Sequence, residues 1–464
     1  MPHDFEDVRA ELELPAASQS DHFPDDVIAE ARTIAAAGLP DVEDATSIPF
    51  VTIDPPGSRD LDQAVFIERL SRGFRVHYAI ADLGAAVPPG GAVDAEARRR
   101  GQTIYLPDGR VPLHPAELSE GALSLLPDQV RRAALWTIDV DETGAPGEAV
   151  VRRALVRSVA QLDYDGVQAS FDAGTPHKSI EALGDVGRLR RAVRVGLGAI
   201  ELALPEQEVV RERDDWTVRL RRRVDADAWN AEISLLTGMA AAQLMLGAGI
   251  GLLRTLPPAE AEAVERFLQT ARTLGIAVPD GATPSEVLAG LDADEPASIA
   301  LMREATGLLR GVGYEAFDGA PPQQPLHAGI GGPYAHVTAP LRRLADRFGT
   351  EVCLAVCAGT EVPSWVREAL PTLGEIMHTS DQRASKADRA TIDQAEVWEL
   401  AGRVGEVFDA IVVRAGRDSG EVMLTEPPVV APCVGAGLPE GGRVQVALAE
   451  VDVEHRTIGF TYGP

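Results

Sequence analysis

The chain has 464 residues, 45% of them hydrophobic and 25% charged, enough to fill two to four packed units of ordinary globular composition. Its 71 Asp and Glu against 43 Lys and Arg give a formal net charge of −28, which excludes nucleic-acid binding through a generally basic surface. No unbroken apolar run reaches transmembrane length and the acidic N-terminus carries no signal-peptide pattern, so a cytoplasmic chain with no membrane partner is expected.

Residues 1–45 are acidic and weakly patterned and read as a lead-in segment, with one helix over 24–37 behind Asp21. A body over 46–400 opens with an apolar strand at 48–53, the turn Pro55-Pro56-Gly57 and a second strand at 61–69. Ser71-Arg72-Gly73 then turns the chain into a strand at 74–81. Asp94 is expected to cap a short helix that stops at Gly101. Further strands are read at 135–140 and 149–159, and the periodicity becomes helical over 179–200 and 226–246. Helices alternate with loops to about residue 399. The tail, 401–464, returns to short strand-like runs at 408–413, 422–424, 443–448 and 456–461, the spacing of a small barrel. The expected class is α+β, a large mixed body followed by a small β-barrel. Cys353 and Cys357 lie one helical turn apart and Cys433 stands alone, so core filling in a reducing compartment is the simpler reading than metal binding.

The densest chemical signal is residues 50–64, FVTIDPPGSRDLDQA. A buried strand delivers Asp54 at its end, and a tight turn brings back Asp60 and Asp62, which the two-residue strand period places on one face. Three converging carboxylates repel one another unless a cation lies between them, and hard oxygen ligands suit Mg²⁺, with Mn²⁺ as the alternative. An acidic hairpin loop is the commoner explanation of such spacing when it stands alone. The arginine clusters 98–100, 188–194, 219–223 and 342–343 are the local sources of positive charge that an RNA-binding chain would need.

The same segment resembles the catalytic motif of the ribonuclease II family, an apolar strand followed by TID, a short loop and D-x-D-D. The resemblance continues through Tyr78 to Leu83, Asp94 to Arg98, Ile104 to Pro107, Val111 to Leu113, Glu117 to Ser119 and Leu123 to Leu125. A later block, His327 to Ile330 and Tyr334 to Arg343, is similar to the family's T-S-P-[IL]-R signature, and the tail is similar to an S1 RNA-binding barrel. The resemblance covers roughly residues 45–464. It implies an RNB catalytic body, an S1-like OB barrel, and hydrolysis of single-stranded RNA from the 3′ end to nucleoside 5′-monophosphates by a monomeric, Mg²⁺-dependent chain.

Residue by residue, it puts the metal-binding carboxylates on Asp54, Asp60 and Asp62, with Asp62 the one most needed for cleavage, and a phosphate-holding role on Arg342. Arg343 is assigned to RNA beside it. Pro340 suits an early helical position, which would set Arg342 in a helix's first turn, where backbone N–H groups favour a phosphate. Tyr105 and Tyr164 match aromatics that stack on bases near the 3′ end, and Glu232 matches a helical carboxylate near the RNA. The family's fourth carboxylate is Gln63, whose oxygen can ligate a metal but carries no charge; Ala339 and Leu344 replace a serine and a tyrosine beside Arg342. Residues 1–45 are too few for the cold-shock barrels that precede the catalytic domain in the family. Two other readings use the same residues: an RNA-binding protein of this fold with weakened catalysis, and a hydrolase of a small acidic metabolite, which leaves the barrel unexplained.

Overall fold

Alternate residues in the central parts of the first-half strands enter two different cores. In the computed structural model, which describes residues 4–213 and 215–463, Val51, Val65, Val76, Tyr78, Trp136 and Ile138 pack on one side, and Phe50, Ala64, Ala79, Ala133, Leu135 and Ala154 on the other. Residues 1–3, 214 and 464, and with them the outermost ends of the lead-in and tail segments, lie outside the described residues. The strands are Phe50–Ile53, Gln63–Arg69, Phe74–Ala81, Val130–Val140 and Pro146–Leu162. The last is 17 residues long and closes the sheet. Its first part pairs antiparallel with Val130–Val140 and its end runs parallel to Phe50–Ile53.

Helix Asp225–Ala248 covers the first of these cores with Ile233, Leu236, Ala240 and Met245. By length and composition it could cross a membrane, contrary to the sequence reading, but those residues are buried in the protein core. Helix Leu344–Ala358 packs beside it, with Phe348 and Val352 in the same core. Cys353 is buried there and all three cysteines are free. Helix Ser364–Leu400, 37 residues, runs from the body into the tail, where Val397 and Leu400 join the barrel interior. The tail strands Val407–Ala415, Ser419–Leu424, Val430–Val434, Thr457–Thr461 and Arg443–Asp452 form a closed five-stranded barrel around Phe408, Val412, Leu424, Val446 and Phe460.

Several expectations need correction. The strands at 135–140 and 149–159 extend to 130–140 and 146–162, because residues 130–134 pair with 153–157, Pro146 with Val140, and residues 160–162 with strand Phe50–Ile53. Asp94 lies inside helix Ala92–Arg100 rather than at its cap; its buried carboxylate accepts the Gly90 N–H at 2.9 Å and pairs with Arg347 at 2.6 Å. Gly101, at φ 75°, ends that helix as expected, and a Cβ there would lie 2.6 Å from Ser380. Three strand pairs among the described residues fell in the stretch read as helices and loops: Glu206–Glu212 with Asp215–Arg221, Ile250–Thr255 with Gly313–Asp318, and the short Leu326–His327 with Gly332–Pro333. The acidic lead-in is packed rather than trailing. Phe5 is buried against Trp398 and Trp216 at ring distances of 5.1 and 5.2 Å, and Phe23, Val27 and Ala31 join a core with Leu83 and Leu341.

Glu396, on the long helix, is buried where three pieces meet. It accepts the Gln207 side-chain amide at 2.7 Å, from the 206–221 hairpin, and the Val430 N–H at 3.2 Å, from the barrel. Burial pushes its carboxyl up to about 7. The folded state therefore binds this proton more tightly than the unfolded one, so the stability it contributes is present at low pH and lost as pH rises from about 4.5 through about 7. Glu396→Gln keeps the acceptor and removes the charge. It is expected to leave stability at pH 5 unchanged and raise it at pH 8 by about 2 kcal/mol, read as a flattened dependence of the urea midpoint on pH.

Candidate active site

Strand Phe50–Ile53 ends at Asp54, whose N–H donates to the Leu162 carbonyl at 3.1 Å. The chain then leaves the sheet through Pro55-Pro56-Gly57, with Gly57 at φ 82° where an L side chain would be strained. Ser124 fixes the return: its hydroxyl donates to the Arg59 carbonyl at 2.6 Å and accepts the Leu61 N–H at 3.0 Å. The loop so held places Asp54, Asp60 and Asp62 on one cavity of about 610 Å³, together with Tyr105, Tyr164, Arg110 and Arg342. The three carboxylates, Arg342 and both tyrosines of the sequence reading thus share one wall.

The carboxylates are held differently. Asp62 is 3% exposed; its Oδ1 accepts the Leu341 N–H at 2.7 Å and its Oδ2 lies 3.4 Å from Arg342 Nε. Desolvation, only partly offset by Arg342, pushes it up to about 8. Asp54 is pushed up to about 7 by the same burial, and its Oδ2 is buried with no hydrogen-bond partner. Asp60 pairs with Arg110 at 3.0 Å and accepts a long bond from the Tyr105 hydroxyl at 3.4 Å. Among the described residues no three His, Cys, Asp or Glu stand close enough together to enclose a metal without rearrangement.

Two of the assigned side chains face elsewhere. Gln63 is the first residue of its strand, and its Oε1 accepts hydrogen bonds from the Tyr78 hydroxyl and, at 3.2 Å, the Ser234 hydroxyl; it does not line the cavity. Glu232 is buried in an ion pair with Arg194, at 2.9 and 3.0 Å from Nε, so its carboxylate points into the body while its neighbour Ala231 reaches the cavity. Arg343 is engaged by Asp346 at 2.9 and 3.0 Å and lines an adjoining cavity of about 370 Å³ with Gln102 and Ser385; Tyr105 and Arg342 form part of both cavities.

The helix expected around Arg342 begins two residues later, at Leu344. Arg343 is extended, at φ −134°, and bridges Gln102, while the Leu344 N–H is taken by the Gly101 carbonyl at 3.0 Å. Arg342 therefore sits in a turn, half exposed at 46%, and reaches the cavity through its guanidinium rather than lending it a helix terminus.

Sequence reasoning did not single out Arg110, and it read residues 206–221 only for the arginine cluster 219–223, not as a hairpin. That hairpin brings Glu206 to the cavity rim, joined there by Arg221 at its end, Arg223 just beyond it and Asp227. Arg221 lies over the Tyr164 ring at 6.0 Å and pairs with Asp227 at 2.8 Å, and Arg223 pairs with Glu206. The other arginine clusters are engaged internally: Arg98 with Asp94, Arg99 and Arg100 with Glu96, Arg188 with Asp185, Arg191 with Glu201.

A closed mixed sheet carrying a carboxylate- and arginine-lined cavity, joined by one long helix to a five-stranded barrel, defines an RNB-type body with an S1-type tail. Family models agree: the RNB domain matches residues 42–349, and the RNase II-type exonuclease C-terminal S1 domain matches residues 406–463. The chain belongs to the ribonuclease II family. Ribonuclease R of Escherichia coli is 29% identical over 406 residues, 82% of this chain and 49% of that protein. The chain thus spans about half the length of the curated relatives it matches. Among solved structures, RNase R of Mycoplasma genitalium, free and in complex with ribose methylated single-stranded RNA, superposes with a TM-score of 0.86 at 19% identity, covering 99% of this chain and 77% of that one. Yeast Ssd1, a pseudonuclease, superposes at 0.71 with 18% identity over 88% of this chain and 53% of that one.

Proposed function

We propose that the chain is a divalent-cation-dependent exoribonuclease that shortens single-stranded RNA from its 3′ end and releases nucleoside 5′-monophosphates in the cytoplasm. The observation that carries this reading is the convergence of Asp54, Asp62, Arg342 and Tyr105 on one cavity. The donor set suits a hard cation: Asp54 offers a buried oxygen that lacks a partner, and both Asp54 and Asp62 are carboxylates that burial disfavours in charged form without a nearby cation. Asp54, Asp60 and Asp62 would hold Mg²⁺ or Mn²⁺, which supplies Lewis-acid activation of the phosphate and a more acidic water.

The protein's own groups account for the rest of the reaction. Tyr105, half exposed with its ring on the cavity, offers a stacking face for a terminal base, and Tyr164 a second. The Arg342 fork lies beside Asp62, where it can hold a non-bridging phosphate oxygen and stabilise the charge that builds there. Asp62 would take a proton from the attacking water. Water adds to phosphorus, the bond to the preceding 3′ oxygen breaks, and that oxygen takes a proton from solvent and leaves as the new 3′-hydroxyl, with the water's proton on Asp62 returned to solvent.

Degradation of a 5′-labelled single-stranded RNA tests the reading: a descending ladder or short limit product is expected with Mg²⁺ and intact RNA with EDTA. Intact RNA in both would refute it. The engagement of Gln63 by Tyr78 and Ser234 favours one second reading, RNA binding with weakened turnover. RNA that is retained but uncut, with cleavage appearing in Gln63→Asp, would establish that reading instead.

A further inference from the structure

Each carboxylate of the cavity has a different counter-charge. Asp62 has Arg342 and a backbone N–H, and Asp54 has an oxygen without a partner. Of the three loop aspartates, Asp60 is the one paired with a cation that also bonds a second acid. Strands Ile104–Leu106 and Gly109–Val111 form a tight hairpin in which Tyr105 and Arg110 are directly opposite, and both side chains reach Asp60. The same Arg110 guanidinium also bonds Glu120, from the short helical turn Glu117–Ala122, through its other nitrogen. Glu120 in turn lies 3.5 Å from Arg59 Nε, so it is held in place from the far side.

We propose that Arg110 is a resident counter-cation that competes with a divalent ion for Asp60 and thereby sets the metal affinity of the site. This rests on the reading of the three aspartates as cation ligands. A guanidinium and a divalent ion repel each other at contact distance, so ligation through Asp60 is opposed for as long as Arg110 holds it. Glu120 makes that release short: Arg110 loses one of two ion pairs and keeps the other, without travelling. The arrangement also suits a site whose Gln63 adds no charge, because Arg110 and Arg342 together offset two of the three carboxylate charges before any cation arrives.

Titration of the full-length chain with Mn²⁺, read by the loss of the free-ion electron paramagnetic resonance signal, tests this without any RNA. Arg110→Gln is expected to bind Mn²⁺ about fivefold more tightly than the wild type. Glu120→Gln, which leaves Arg110 with Asp60 alone, is expected to bind it more weakly. Asp54→Asn should abolish the binding in both backgrounds. A merely structural role for the hairpin would move the two affinities in the same direction, alongside a common fall in melting temperature. Mn²⁺ bound by Arg110→Gln with wild-type or lower affinity would overturn the role of Arg110 alone. No Mn²⁺ bound by any of the proteins would overturn the divalent reading of the aspartates with it.

Discussion

Asp62→Asn is expected to reduce RNA degradation about 10³-fold or more while leaving RNA retention in a binding assay within a few-fold of the wild type. The side chain is buried at the meeting point of the 54–62 loop and the 341–343 turn, with one oxygen on the Leu341 N–H and the other facing Arg342. Asparagine keeps an oxygen for that N–H, so the loop stays in place, but it cannot accept a proton from water and brings no negative charge to a cation. Removal of a desolvated carboxylate also makes a stability prediction. Because Asp62 is pushed up to about 8, the folded wild type in metal-free buffer loses stability as pH rises toward that value, and Asp62→Asn should melt higher than the wild type at pH 8. A variant that loses activity and melts lower would instead mark Asp62 as a structural residue.

Arg342→Lys is expected to lower single-turnover cleavage about 10²–10³-fold with little change in RNA affinity. Lysine preserves the charge but not the fork, and a single ammonium cannot both face Asp62 and grip a phosphate through two parallel bonds. The contrast with Arg343 sharpens the test. Arg343 is bound on two sides to Asp346, so Arg343→Lys should alter melting temperature more than cleavage. Equal losses of rate in the two variants would contradict the assignment of the phosphate to Arg342.

The carboxylate loop was legible from an apolar strand, a Pro-Pro-Gly turn and the spacing of Asp54, Asp60 and Asp62, but what holds it was not: the strand resumes only at Gln63, and Ser124 and the Leu341 N–H, distant in sequence, fix the loop and Asp62. Tyr105 and Arg342 were found through their motifs, but the helix start at Leu344 was not, since the interruption comes from Gln102 and Gly101, more than 240 residues away in sequence. The hairpin 206–221 was missed for a related reason. Its residues alternate acidic, basic and apolar, and what makes it a hairpin is the surface beneath: Glu399 accepts the Val218 N–H at 3.0 Å, and Val218 is buried. Gln63 and Glu232 show the limit of matching a residue to a motif. Both lie on the expected strand and helix, and in each the side chain is claimed by partners, Tyr78 and Ser234 or Arg194, that no local pattern announces.

The burial of Arg9 gives the lead-in segment a reach beyond its own packing. Its guanidinium is 1% exposed and grips Asp108, in the two-residue bend between Tyr105's strand and Arg110's, at 2.6 and 3.1 Å, and the Pro15 carbonyl at 3.0 Å. The bend that aims both cavity residues is thus fastened to the first fifteen residues, and such fastening works in both directions. Whatever occupies the cavity and steadies that bend should slow proteolytic clipping near Arg9. Whatever frays the front of the chain should loosen the grip on the terminal nucleotide.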